Sequence, residues 1–155
     1  MRITEEESHT ISVLAGQGDI KKIRTVVETL AQREDAMPAD VLMACKDDFQ
    51  QTAAHIAAKS GQARSIETLA DLLHDNEKKA QYFNAANRFS GDRPVHTAMR
   101  HGFVDVFKTL VRHGADPTAK NRFGDTAVDY PGDFDPSEVH RIMSEYVEST
   151  LSNTP

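Results

Sequence analysis

The sequence predicts an all-α solenoid of stacked helix-turn-helix pairs joined by short hairpin-like turns. Three observations carry that prediction. The stretch from Gly91 to Pro117 reads as turn, short helix, Gly break, second helix, Gly break. The turn Asn87-Arg88-Phe89-Ser90-Gly91-Asp92 recurs as Asn121-Arg122-Phe123-Gly124-Asp125 with Ser90 as the one insertion, a match that marks internal repetition in so short a chain. Apolar residues fall at helical spacing elsewhere, at Ile20, Ile23, Val26, Val27 and Leu30 and again at Ile66, Leu69, Ala70 and Leu73.

Each element follows in order. Residues 1–8 are expected to be a polar leader. His9 to Gly18 gives a first helix, and Ile20 to Leu30 gives a second with Lys21, Lys22, Arg24 and Glu28 on or beside its wet side. Gln32 to Met43 reads as a long connection in which Pro38 breaks any entering helix and residues 39–43 make at most a short helical turn. Thr52 to Gly61 opens the next pair. Residues 75–83 are expected to be a prolonged helix or an extra turn, with Tyr82 and Phe83 closing it against the core. Thr126 to Tyr130 begins a fourth copy that Pro131-Gly132-Asp133 cuts short. Asp135-Pro136-Ser137-Glu138 then carries the acceptor, Pro and Glu of a helix start. Val139, Ile142, Met143, Tyr146 and Val147 form one apolar stripe of an end-capping helix, and residues 149–155 are expected to fray.

Composition narrows the class. The length of 155 residues fits one domain, although repeats argue against a single globular core. No apolar run is long enough to span a bilayer, and the polar, acidic start lacks the pattern of a secretory signal. Cys45 is the single cysteine, so no intrachain disulfide forms, which suits a reducing compartment and predicts a cytoplasmic protein. Net charge is −6, but residues 86–123 hold seven Lys/Arg against three acids and are therefore +4, leaving −10 for the rest. A basic centre with acidic flanks argues against general nucleic-acid binding and allows a local contact with an acidic protein surface.

The spacing resembles that of a known family. Arg93-Pro94-Val95-His96-Thr97-Ala98, with Gly102 and Gly114-Ala115-Asp116, matches the ankyrin-repeat pattern Thr-Pro-Leu-His, then Ala, Gly and Gly-Ala-Asp, with Arg for Thr and Val for Leu. Thr52-Ala53-Ala54-His55-Ile56-Ala57-Ala58 with Gly61 is a second match, Thr126 to Asp129 a partial one, and His9 to Gly18 a worn one. Gly91 to Gly124 is 33 residues, the ankyrin period, while His55 to His96 is 41 and implies an insertion. The resemblance covers roughly residues 9–148, in units of about 9–46, 47–86, 87–120 and a truncated 121–148. Small residues at Ala57, Ala58 and Ala98 suit close stacking, and Gly61 and Gly102 suit the tight turn inside each pair.

The resemblance implies roles. His55 and His96 would link their own turn to the next by hydrogen bonds rather than bind metal. Partner contacts would come from turn tips and first-helix edges. Carried over by position, the tip residues are Phe49, Gln51, Arg88, Phe89, Asp92, Arg122, Phe123 and Asp125, and the edge residues are Lys59, Arg100 and His101. A recurring tip Phe beside Arg is a plausible hot-spot surface. The expected function is non-enzymatic protein binding, as a regulatory or inhibitory subunit or a secreted effector or immunity-type protein, which would act in the host cytosol. The expected partner is a protein with an acidic patch. No membrane, small-molecule substrate, cofactor or metal is expected. The alternatives are an enzyme with a site in the insertions, around Cys45, and a weak nucleic-acid binder acting through the basic centre.

Overall fold

A computed structural model describes residues 1–130, Gly132 and residues 134–152. Among them the chain forms α1 (Glu5–Gln17), α2 (Ile20–Glu34), α3 (Pro38–Ala44), α4 (Ala53–Lys59), α5 (Ala63–Leu73), α6 (Asn76–Phe83), α7 (Pro94–Arg100), α8 (Val104–Arg112), a 3-10 turn (Ala127–Asp129) and α9 (Pro136–Ser152). The expected helix pairs stack in two layers. α1, α4, α7 and the 3-10 turn pack in sequence as an inner layer, and α2, α5, α8 and α9 as an outer one.

The layers follow from side-chain size. Inner positions Ala54, Ala57, Ala58 and Ala98 are fully buried, and only small side chains let these short helices approach so closely. The outer helices supply bulk. Ile23, Val27, Ile66, Leu69, Phe107 and Leu110 are all fully buried, and each stabilises the stack by roughly 1.5–3 kcal/mol.

The N-terminus departs from the expected leader, because α1 already begins at Glu5. The cause is a capping box. The Glu7 N–H donates to the Thr4 hydroxyl at 3.1 Å, and the Thr4 N–H donates to the Glu7 carboxylate at 2.9 Å. Arg33 near the end of α2 pairs with Glu7 and Glu34 and donates to the Arg2 carbonyl at 2.8 Å, which clamps the chain start onto the second helix.

Both insertions are helical. α2 stops at Asp35, whose φ is 51°, and Pro38 takes the first position of α3 instead of breaking a longer helix. α5 stops at His74, with φ 65°, and Asp75 caps a separate α6 at 2.7 Å from the Glu77 N–H. The second insertion is therefore an extra helix and not a prolonged one. Tyr82 and Phe83 are buried, as expected. α3 packs on α2 and α5, and α6 packs on α5, so both insertions thicken the outer layer and leave the inner face clear. Lys78 on α6 reaches Asp40 on α3 at 2.9 Å.

At the other end, Pro131 and Asp133, expected to cut the fourth copy short, lie outside the described residues. α9 covers α8 with a stripe narrower than expected: Val139 and Ile142 are buried, Met143 and Tyr146 half-buried, and Val147 is on the surface. The helix persists through Ser152 rather than fraying after residue 148, and residues 153–155 of the expected tail lie outside the described residues.

Candidate functional site

Three hairpin-like tips precede α4, α7 and the 3-10 turn, and one device builds all of them. A side-chain oxygen at the start of each tip accepts two backbone N–H groups further on. Asp47 accepts from Phe49 and Gln51 at 2.9 and 2.8 Å. Asn87 accepts from Ser90 and Gly91 at 2.8 and 3.1 Å. Asn121 accepts from Phe123 and Asp125 at 2.9 and 3.0 Å. Asp and Asn favour such turns because a short side chain can copy a backbone acceptor. Neighbouring tips are then joined by their backbones: the Arg88 N–H donates to the Phe49 carbonyl at 2.6 Å, and the Arg122 N–H to the Ser90 carbonyl at 3.0 Å.

The repeat histidines fasten tips to helices. His55 Nδ1 accepts the Thr52 N–H at 3.1 Å, and its Nε2–H donates to the Asp92 carbonyl at 3.0 Å. His96 Nδ1 accepts the Arg93 N–H at 3.0 Å, and its Nε2–H donates to the Asp125 carbonyl at 3.0 Å. Each ring thus uses both nitrogens to tie its own helix to the following tip, which leaves none for a metal. Burial lowers the pKa of His55 and keeps it neutral.

This frame sorts the residues singled out by sequence. Phe49, Phe89 and Phe123 stand at the tips with 55%, 78% and 72% of their surface exposed, a large apolar outlay for a small protein. Arg88 and Arg122 beside them are exposed, as are Lys59, Arg100 and His101 at the first-helix ends. Gln51 and Asp125 are half-buried, with Gln51 donating its side-chain amide to Asp47 at 3.1 Å.

Asp92 is a correction. It is 1% exposed and cannot meet a partner. Its carboxylate turns inward, where Asn121 donates to it at 2.9 Å and Arg100 lies at 2.7 Å. Arg100 in turn donates to the Tyr130 hydroxyl at 2.8 Å and lies over its ring, while Asn121 donates to the same hydroxyl at 2.7 Å. The Arg100 charge is thus largely answered from within the chain.

Two clefts of opposite charge flank the tips. One, of about 500 Å3, lies between the second and third tips and is rimmed by Arg88, Arg93, Lys120 and Arg122. The other, of about 530 Å3, lies between α1, α4 and the first tip; Val13 and Ile56 line it, with Glu5, Glu6, Asp47 and Asp48 around them. Sequence reasoning missed the second cleft. Its signal was present in Glu5-Glu6 and Asp47-Asp48, but reading the first run as a leader separated it from the tip.

Cys45 is buried beneath the first unit, and burial pushes its thiol up to about 11, so it holds no thiolate at neutral pH. Among the described residues no group of His, Cys, Asp and Glu could hold a metal ion, and no helix is long and apolar enough to cross a membrane.

Comparison with known proteins agrees with this geometry. A family model described as ankyrin repeats, in three copies, matches residues 14–121. The ankyrin repeat and LEM domain-containing protein 2 homolog of Caenorhabditis elegans is 25% identical over 137 residues, covering 76% of this chain and 23% of that protein. The B-cell lymphoma 3 protein of Homo sapiens is 30% identical over 95 residues, covering 61% of this chain and 20% of that protein. The chain thus spans under a quarter of the length of these curated relatives. Among solved structures, a chain in the crystal structure of the yeast ribosomal protein Rps3 in complex with its chaperone Yar1 superposes with a TM-score of 0.71 at 25% identity, over 99% of this chain and 96% of that one.

Proposed function

Since this chain belongs to the ankyrin-repeat family, we propose that it binds one partner protein through its tips and first-helix ends and regulates or masks that partner. Ankyrin repeats are a protein-binding module and are generally non-catalytic. The observation that carries the reading is the row of three exposed tip phenylalanines on a hydrogen-bonded frame. Exposed aromatics on a rigid support lose little entropy on docking and make strong anchors. The inner face is left clear by insertions that lie on the other side. The likeness to a chain from a complex of a ribosomal protein with its chaperone supports a role in holding a single protein.

The partner is read as a protein that offers acidic residues to the second and third tips, where the basic residues concentrate. The contact should weaken as salt rises. The test is capture of the partner from cells, followed by reconstitution of the pair from purified components. Replacing Phe89 and Phe123 together by Ser should weaken the reconstituted complex at least tenfold with the helical signal and melting unchanged. Unchanged affinity would overturn the reading, and loss of folding would make these residues structural.

A further inference from the structure

We infer that the cleft between the second and third tips seats an extended acidic segment of the partner protein, with its carboxylates held by Arg88, Lys120 and Arg122. This rests on the protein-binding reading and adds the form of the acidic contact and the residues that hold it. Four cationic side chains rim the cleft and no carboxylate lines it. Among the described residues, Arg88, Lys120 and Arg122 make no ion pair, whereas Arg93 donates to Asn84 at 3.3 Å. The other positive groups of the central stretch are occupied or lie elsewhere. Arg100 is paired with Asp92, and Lys108 and Arg112 sit on the outer layer near Glu145. The excess positive charge of the centre is therefore concentrated at this one cleft, answered in part by Asp129 near Lys120 and by Asp116 near Arg93.

The cleft is also preorganised. The Arg122 N–H to Ser90 carbonyl bond fixes the gap between its two walls, and Asn87 and Asn121 beneath it are held by their own tips. Guanidinium groups in such a frame suit carboxylates, which they can bind through two parallel hydrogen bonds.

Charge along the tips selects a short acidic peptide over a nucleic acid. Arg88 and Arg122 have Asp48 as their counterpart on the first tip, next to Asp47. A phosphate backbone running along all three tips would meet that acidic end, while a peptide carboxylate run confined to the cleft would not.

The test uses the intact chain and a fluorescein-labelled alternating Glu-Ala peptide, read by anisotropy at low salt, with a Lys-Ala peptide and an oligouridylate as parallel arms. The Glu-Ala peptide should bind at least tenfold tighter than either. Arg88→Gln with Arg122→Gln should weaken it about tenfold, and Lys21→Gln with Arg64→Gln, which removes the same charge from the outer layer, should leave it unchanged. Circular dichroism of both double variants should match the parent, since only side chains beyond the tip backbone are altered. Equal binding of the Glu and Lys peptides, tighter binding of the oligouridylate, or indifference to R88Q/R122Q overturns the inference. If the reconstituted partner still responds to the Phe89 and Phe123 changes in that case, the acidic segment alone is wrong and the protein-binding reading stands.

Discussion

The Arg100 guanidinium lies 2.7 Å from the buried Asp92 carboxylate and 4.8 Å from the centre of the Tyr130 ring, and so joins the third unit to the fourth. The two partners are not equivalent. Asp92 is enclosed and also accepts from Asn121, while water reaches the Arg100 side chain. Asp92→Ala removes the buried acceptor shared by Asn121 and Arg100 and should cost about 1–3 kcal/mol in urea denaturation. Arg100→Ala leaves the Asp92–Asn121 bond in place and should cost less. A larger loss for Arg100→Ala would refute this ordering.

The two interhelix glycines should differ. Gly61 and Gly102 have φ of +72° and +75°, so Ala at either position should cost about 1–2 kcal/mol for the left-handed backbone alone. A Cβ at Gly102 would meet open space, but one at Gly61 would lie 2.8 Å from the Phe103 ring. Gly61→Ala should therefore lower the melting temperature more than Gly102→Ala, and adding Phe103→Ala should shrink that excess. Equal effects of the two single changes would refute the packing argument.

Tyr82 presents a different case. Its ring is buried against Phe83, yet among the described residues its hydroxyl makes no hydrogen bond of normal geometry, although the Thr52 side chain and the Ala53 and Ala54 amides lie near it, and burial pushes the phenol well above its usual range. Tyr82→Phe should be neutral or stabilising because it removes a desolvated oxygen, whereas Tyr82→Ala should cost about 3–5 kcal/mol through the cavity. Destabilisation by the Phe variant would show that the hydroxyl has a partner.

Acid should loosen the N-terminal clamp. Hydrogen bonding from Arg33, with help from the Thr4 amide, holds the Glu7 carboxyl down at about 2 against a usual 4.5. The unfolded chain takes up this proton first, so the contribution is present above pH 4.5 and is lost as pH falls toward 2. Glu7→Gln should lower the melting temperature near neutrality, and the gap to the parent should close across that window. A gap that stays constant with pH would sink the assignment.

The buried thiol gives a simple probe of the enzyme alternative. Cys45 should react with an aromatic disulfide reagent only after urea unfolds the chain. Rapid reaction in the native state would reopen a nucleophilic role.

Much of this architecture was legible because the repeat writes local rules into the sequence. His55, His96 and the breaks at Gly61 and Gly102 each answer to neighbours in their own unit or the next, so their spacing alone located them. Asp92 was misplaced because its partners, Asn121 and Arg100, come from other elements, and no spacing rule marks a carboxylate as turned inward. The start of α1 was missed for a different reason. Thr4 and Glu7 spell a capping box, but the acidic run around them read as solvated chain. The insertions were located but not fully resolved, since short apolar runs such as Val41-Leu42 and Tyr82-Phe83 become helices only once α5 offers them a surface.

The extra helices have a mechanical consequence. α3 bears on α2 and α5, α6 bears on α5, and Asn84 at the end of α6 donates to the Gly114 carbonyl beyond α8 at 2.9 Å. The outer layer is thereby splinted across three successive units. The spacing between the tips, already joined by their backbones, becomes a gauge on the opposite side. A ligand that matches that gauge in length would dock without asking the stack to bend.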